Sequence, residues 1–241
     1  MARERGLLLR LLGGRQAART VGPLTHPVDD ATTLHRRGAA PEVKLLLFGS
    51  GPAAGWGVHL HDLGLGGGIA DRLAERMGHA VALDLLVDDS WQDPDPITAI
   101  RTQGLGKYHA VVIVGAYNHS LIEVPEPVWK DYLAQLREAI LQEAGPDVAL
   151  LVLSLPWDDA AERMPSVWGG PAGRAVVDLA RIADETLSDS EQITQLRLLP
   201  PIEAEEWIGP DFSVASYARW SADTADRLAP LLGAGAVLSL P

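Results

Sequence analysis

Four short segments of this chain are apolar almost throughout. Residues 43–48 and 81–87 each carry one charged residue, residues 110–114 carry none, and residues 148–155 carry only Ser154 as a polar side chain. None shows the apolar–polar alternation of a strand with one wet face. They read as strands buried on both sides. Between them the apolar spacing changes to that of helices. Ile69, Leu73, Ala74 and Met77 share one face before Gly78, and Tyr132, Leu133, Leu136, Ile140 and Leu141 share another within residues 129–144, which Gly145 and Pro146 end. Residues 174–187 (Val177, Leu179, Ile182, Ala183) and 214–232 (Tyr217, Trp220, Ala225, Leu228) follow the same period, with a fifth strand expected at 193–198. Strands that alternate with helices make right-handed crossovers. The expected fold is therefore α/β, a three-layer sandwich around a mostly parallel five-stranded sheet. Ligands in such sheets bind at the carboxyl ends of the strands.

The chain has 241 residues, 47% of them hydrophobic, which is enough for one domain with a sizeable core. It contains no cysteine, so disulfides, thiolate metal sites and cysteine nucleophiles are excluded. The net charge of −12 argues against a nucleic-acid partner. That charge is unevenly placed. Residues 1–40 hold seven Arg against Glu4, Asp29 and Asp30, a balance of +4, so the remainder carries −16. Residues 13–42 are rich in Gly, Pro, Thr and Arg without a sustained period. The expected organisation is a basic N-terminal arm or linker over 1–42 and a single domain over 43–241. In the arm, Leu7, Leu8, Leu11 and Leu12 could form one side of a short surface helix with Arg3, Arg10 and Arg19 around it, the alternative being a flexible tail. No segment is long and apolar enough for a membrane span, a signal peptide is the minority reading, and a cytoplasmic location is expected.

Chemistry should lie where the first strand runs out. There the chain reads Gly49-Ser50-Gly51-Pro52-Ala53-Ala54-Gly55-Trp56-Gly57-Val58. The third strand ends in Gly115-Ala116-Tyr117-Asn118, and the closing helix is preceded by Gly209-Pro210-Asp211 and contains Ser216-Tyr217-Ala218-Arg219-Trp220. These blocks resemble those of the SGNH, or GDSL, hydrolase superfamily, over roughly residues 43–232. In that family a G-D-S turn is often followed by x-A-A-G-x-G-V, the third strand ends in G-x-N-D, and a D-x-x-H block precedes the last helix. The resemblance implies a flavodoxin-like sheet and an esterase-type site. Its parts are a Ser nucleophile, a His base oriented by Asp, and an oxyanion hole from the Ser amide, a Gly after the second strand and the Asn of the third block.

This sequence departs from that pattern at most chemical positions. An ungapped match sets Ser50 at the family's Asp and Gly51 at its nucleophile. Val87-Asp88-Asp89-Ser90 stands where the second block's Gly is expected, and His119 replaces the Asp after Asn118. Asp211 is followed by Phe212-Ser213-Val214, and no His occurs after His119. Asn118 and Gly51 are left as the remnant of an oxyanion hole. Ser50, His119 and Asp211 are the candidates for a rearranged catalytic set, with Ser90 as another nucleophile. A serine without a base is a weak nucleophile, and Ser50 is expected instead to hydrogen-bond within its turn or cap the next segment.

Other features are weighed the same way. Trp56, Trp91, Trp157 and Trp207 each follow a strand, so they either line a sugar or acyl pocket or fill a lost cleft. His59 and His61, with Asp62, could begin a metal site only with a further ligand from elsewhere. Asp88, Asp89, Asp93 and Asp95 read as a solvated acidic loop. No cofactor and no metal are expected. The reading is an SGNH-like protein, catalytically degenerate, that binds a small acyl or saccharide ligand or a partner at the former cleft. The alternative is an active carboxylester hydrolase or acyltransferase with a rearranged serine site. The oligomeric state is not set by the sequence.

Overall fold

The computed structural model describes residues 25–87, 96–114, 125–156, 171–199, 207–208 and 211–233, with 171–176, 207, 208 and 211 as backbone alone. Within them six strands form one sheet: β1 (Thr33–Arg36), β2 (Ala39–Gly49), β3 (His79–Val87), β4 (Ala110–Val114), β5 (Ala149–Ser154) and β6 (Ile193–Arg197). Their spatial order is β1-β3-β2-β4-β5-β6, and all neighbours are parallel except β1 against β3. A short antiparallel ribbon, β7 (Trp207–Ile208) and β8 (Asp211–Phe212), stands apart. The helices are α1 (Leu65–Met77), α2 (Pro96–Gln103), α3 (Glu126–Ala144), α4 (Pro171–Leu187) and α5 (Val214–Gly233).

The five parallel strands take the doubly wound order in which the chain starts mid-sheet, steps to one side and then returns across the start. Successive residues of β2 serve the two layers in turn. Leu45 and Leu47 join Ile69, Leu73, Tyr217, Trp220 and Leu228 of α1 and α5. Leu46 and Phe48 join Ile100, Trp129, Leu133, Leu136 and Ile182 of α2, α3 and α4 on the other side. That division is the strand period of two acting on an uninterrupted apolar run. Among the described residues no helix is long and apolar enough to cross a membrane.

Two expectations are corrected. The sheet has six strands rather than five. The extra strand, β1, lies inside the stretch read as linker: Leu34 is buried in the core, and Thr33 donates its hydroxyl to Asp84 Oδ1 at 2.7 Å. The sequence around β1, Thr-Leu-His-Arg, is too short and polar to announce a strand. It is held by pairing with the edge of β3 and so covers that edge.

Candidate functional site at the carboxyl end of the sheet

β2 and β4 are hydrogen-bonded neighbours, and their last residues, Gly49 and Val114, are register partners. This is the point at which strand order reverses, where a crevice is expected. Gly49 has φ +147, and a β-carbon on it would lie 2.4 Å from the Val114 carbonyl oxygen, so only glycine lets the chain leave β2 here. Ser50 remains extended (φ −139, ψ 179) and precedes a single 3-10 turn over Gly51–Ala54. Gly51 takes φ +60, a left-handed conformation that costs a serine about 1 kcal/mol or more.

The turn is closed by backbone bonds. Ala53 N–H donates to Ser50 O (3.2 Å), Gly55 N–H to Pro52 O (3.2 Å) and Trp56 N–H to Gly51 O (3.3 Å). Ser50 is 0% exposed, and its side chain makes no capping bond to the turn, contrary to the capping role read from the sequence. A hydroxyl with no solvent-accessible surface cannot meet a substrate in this conformation.

Trp56 is only 2% exposed and belongs to the core packed against α1 and α5. Its ring meets His26 edge-on, with centroids 6.3 Å apart, and its carbonyl accepts the Tyr217 hydroxyl at 2.6 Å. Trp56 therefore fills space rather than lining a pocket, which corrects its place among the ligand-binding residues. The next residue, Gly57 (φ +94), lies under β8: a β-carbon on it would lie 2.0 Å from Phe212 O and 2.6 Å from Phe212 N. The first and last blocks of the sequence thus meet, although Gly57 and Phe212 are far apart in the chain.

The last block is built as a clamp. Phe212, Tyr217 and Trp220 pack edge to face, with centroids 5.1–6.2 Å apart. Trp220 Nε1 donates to Leu199 O at 2.7 Å, just beyond β6. Ser213 caps α5, its Oγ accepting Ser216 N–H at 3.1 Å. Counted from Asp211, the position of the family's His is Val214, which is 50% exposed in the first turn of α5. Counted back from Tyr217 instead, the same position falls on Asp211, whose side chain lies outside the described residues.

The backbone N–H of His61 donates to Asp29 Oδ1 at 3.0 Å, and its Nδ1 lies 3.1 Å from Asp29 Oδ2 in an ion-pair contact without hydrogen-bond geometry. Residues 25–29 form a strap over this segment: Gly57 N–H donates to Thr25 O and Val28 N–H to His59 O, both at 2.9 Å. Asn118, His119, Trp91, Trp157, Ser90, Asp88, Asp89, Asp93 and Asp95 lie outside the described residues, and so does the side chain of Asp211.

No family model matches the sequence, and no curated protein matches it either. Solved structures do. A lipase/acylhydrolase from Enterococcus faecalis superposes with a TM-score of 0.59 at 19% identity, over 78% of this chain and 96% of that one. The fold is that of the SGNH/GDSL hydrolases. A carbohydrate acetylesterase from Sinorhizobium meliloti (TM-score 0.56, 16% identity) and the inhibitor-bound aryl esterase of M. smegmatis (0.56, 14%) each cover 78% of this chain and 99% of their own. At such identities the likeness is one of fold.

Proposed function

We propose that this protein is a non-hydrolysing member of the SGNH fold that binds a small acyl or saccharide ligand at the carboxyl-end crevice. The observation that carries the reading is the turn itself. The nucleophile position is Gly51, held at φ +60, and the hydroxyl-bearing residue next to it in the chain, Ser50, is fully buried. The lack of any His after His119 supports it further, since the last block then offers no imidazole to take the proton. The ligand class is drawn from the structural neighbours, described as a lipase/acylhydrolase, a carbohydrate acetylesterase and an aryl esterase. Asn118 is assigned to hold a carbonyl or hydroxyl of that ligand. The alternative, a hydrolase that uses Ser50, is opposed by the burial of Ser50.

A fluorophosphonate probe and p-nitrophenyl acetate or butyrate test the chemistry. The expected outcome is no covalent labelling and turnover no better than the roughly 10³–10⁴-fold enhancement over water that a site without its triad retains. Thermal shift against acetylated sugars and short aryl esters tests binding, because a ligand that binds only the folded state raises the midpoint. Labelling or turnover that Ser50→Ala abolishes would overturn the proposal.

A further inference from the structure

The described surface carries few exposed large apolar side chains, and three of them gather beside the strap. Val28 is 82% exposed, Leu60 44% and Leu63 45%. Their backbones lie close together, because Val28 N–H donates to His59 O, next to Leu60, and Leu63 N–H donates to Leu60 O. The rim of this patch is acidic. Asp62 and Asp71 both contact the single guanidinium of Arg36, which leaves one carboxylate charge uncompensated. Asp30 is exposed and has no ion pair among the described residues. The patch is therefore apolar at its centre and negative at its edge.

The segment of this chain with the complementary pattern is its own N-terminus. Residues 1–24 hold five Arg and one Glu, with Leu7, Leu8, Leu11 and Leu12 at helical spacing. That segment joins the described body at Thr25, three residues before Val28. The residues from Leu12 to Thr25 can span roughly 40 Å when extended, so a return to the patch is sterically free. Tethering so close keeps the local concentration of the arm high, on the order of millimolar for a short linker. An anionic membrane is a poorer fit, because the acidic rim would repel it.

We infer that the leucine-rich segment of residues 7–12 docks in the same molecule on the Val28–Leu60–Leu63 patch, its leucines on the apolar centre and Arg10, with the arginines that flank the segment, on the acidic rim. Docked there it lies over the strap that is bonded to Gly57 and His59. This surface stands independently of any ligand for the crevice.

The absence of cysteine makes the test direct. Leu8→Cys with Leu60→Cys, in the full-length chain, should oxidise to an intramolecular disulfide. The same pair with Val28→Asp and Leu63→Asp keeps the tether but removes the apolar surface, and should oxidise at least about tenfold more slowly. High salt should slow the first protein and leave the second little changed. Equal rates with and without the two aspartates would show tethering alone and overturn the inference. A disulfide-linked dimer in place of the monomer would overturn it in favour of exchange between two copies. Recovery of the full-length chain on anionic but not neutral vesicles, lost with Leu8→Asp, would overturn it in favour of a membrane surface.

Discussion

The hydroxyl of Tyr217 donates to the carbonyl of Trp56 at 2.6 Å, both groups fully enclosed, across 161 positions of sequence. This bond ties the helix that closes the fold to the turn that ends its first strand. Tyr217→Phe leaves that carbonyl buried without its donor. A loss of about 1–3 kcal/mol is expected, read as a lower thermal midpoint. A change within experimental error would show that the clamp does not hold the turn.

Two glycines with positive φ should respond differently to alanine. Gly57→Ala places a methyl carbon on the Phe212 backbone and should cost more than about 3 kcal/mol or abolish folding. Gly78→Ala (φ +71), with nothing within 4 Å of the new methyl, should cost only the roughly 1 kcal/mol of backbone strain. Denaturant midpoints of the two variants, compared side by side, check the crossing of the first and last blocks.

Gly51→Ser restores the nucleophile in name. On the proposed reading it should yield no esterase activity above wild type, because a serine without a base is a weak nucleophile, and it should lower stability by about 1 kcal/mol through its left-handed φ. Rapid turnover of p-nitrophenyl butyrate by this variant would show that a base approaches from elsewhere.

Asp184 on α4 is buried and hydrogen-bonded to Ser154, whose Oγ also accepts Gln195 Nε2 at 2.6 Å. Burial pushes its carboxyl up to about 8, against the opposing pull of the Ser154 hydrogen bond and the Arg197 charge. The folded state therefore keeps a proton that the unfolded chain has released, between about pH 4 and pH 8. Stability from this group falls as pH rises through that window, by up to about 1.4 kcal/mol per pH unit. Asp184→Asn should remove this dependence and stabilise the protein at pH 8 relative to wild type. His109 acts in the opposite direction. Burial lowers its pKa, and its Nδ1 accepts Lys44 N–H at 2.9 Å, so acidification below the ordinary histidine range weakens the fold. Urea titrations of wild type and D184N from pH 5 to 9 separate the two.

Truncation should divide the expected linker in two. Deleting residues 1–24 leaves the sheet intact and should preserve the cooperative transition. Deleting residues 1–38 removes Leu34 from the core and uncovers the edge of β3, so it should cost at least about 2 kcal/mol and promote association. Equal thermal midpoints for the two truncations would show that β1 contributes nothing.

The apolar runs at 43–48, 81–87, 110–114 and 148–155 and the helical periods between them were enough to determine a parallel α/β sandwich, because burial on both faces leaves such strands no other environment. The identities at positions 50 and 51, and the lack of any His after His119, likewise set the expectation of a site without the family's nucleophile and base. Tertiary structure alone decided what those positions became. Whether Trp56 lines or fills, and that Phe212 must cross Gly57, are set by contacts between segments more than 150 residues apart. No local period or propensity encodes such contacts. The same holds for β1, a short polar strand that exists only because β3 offers it an edge.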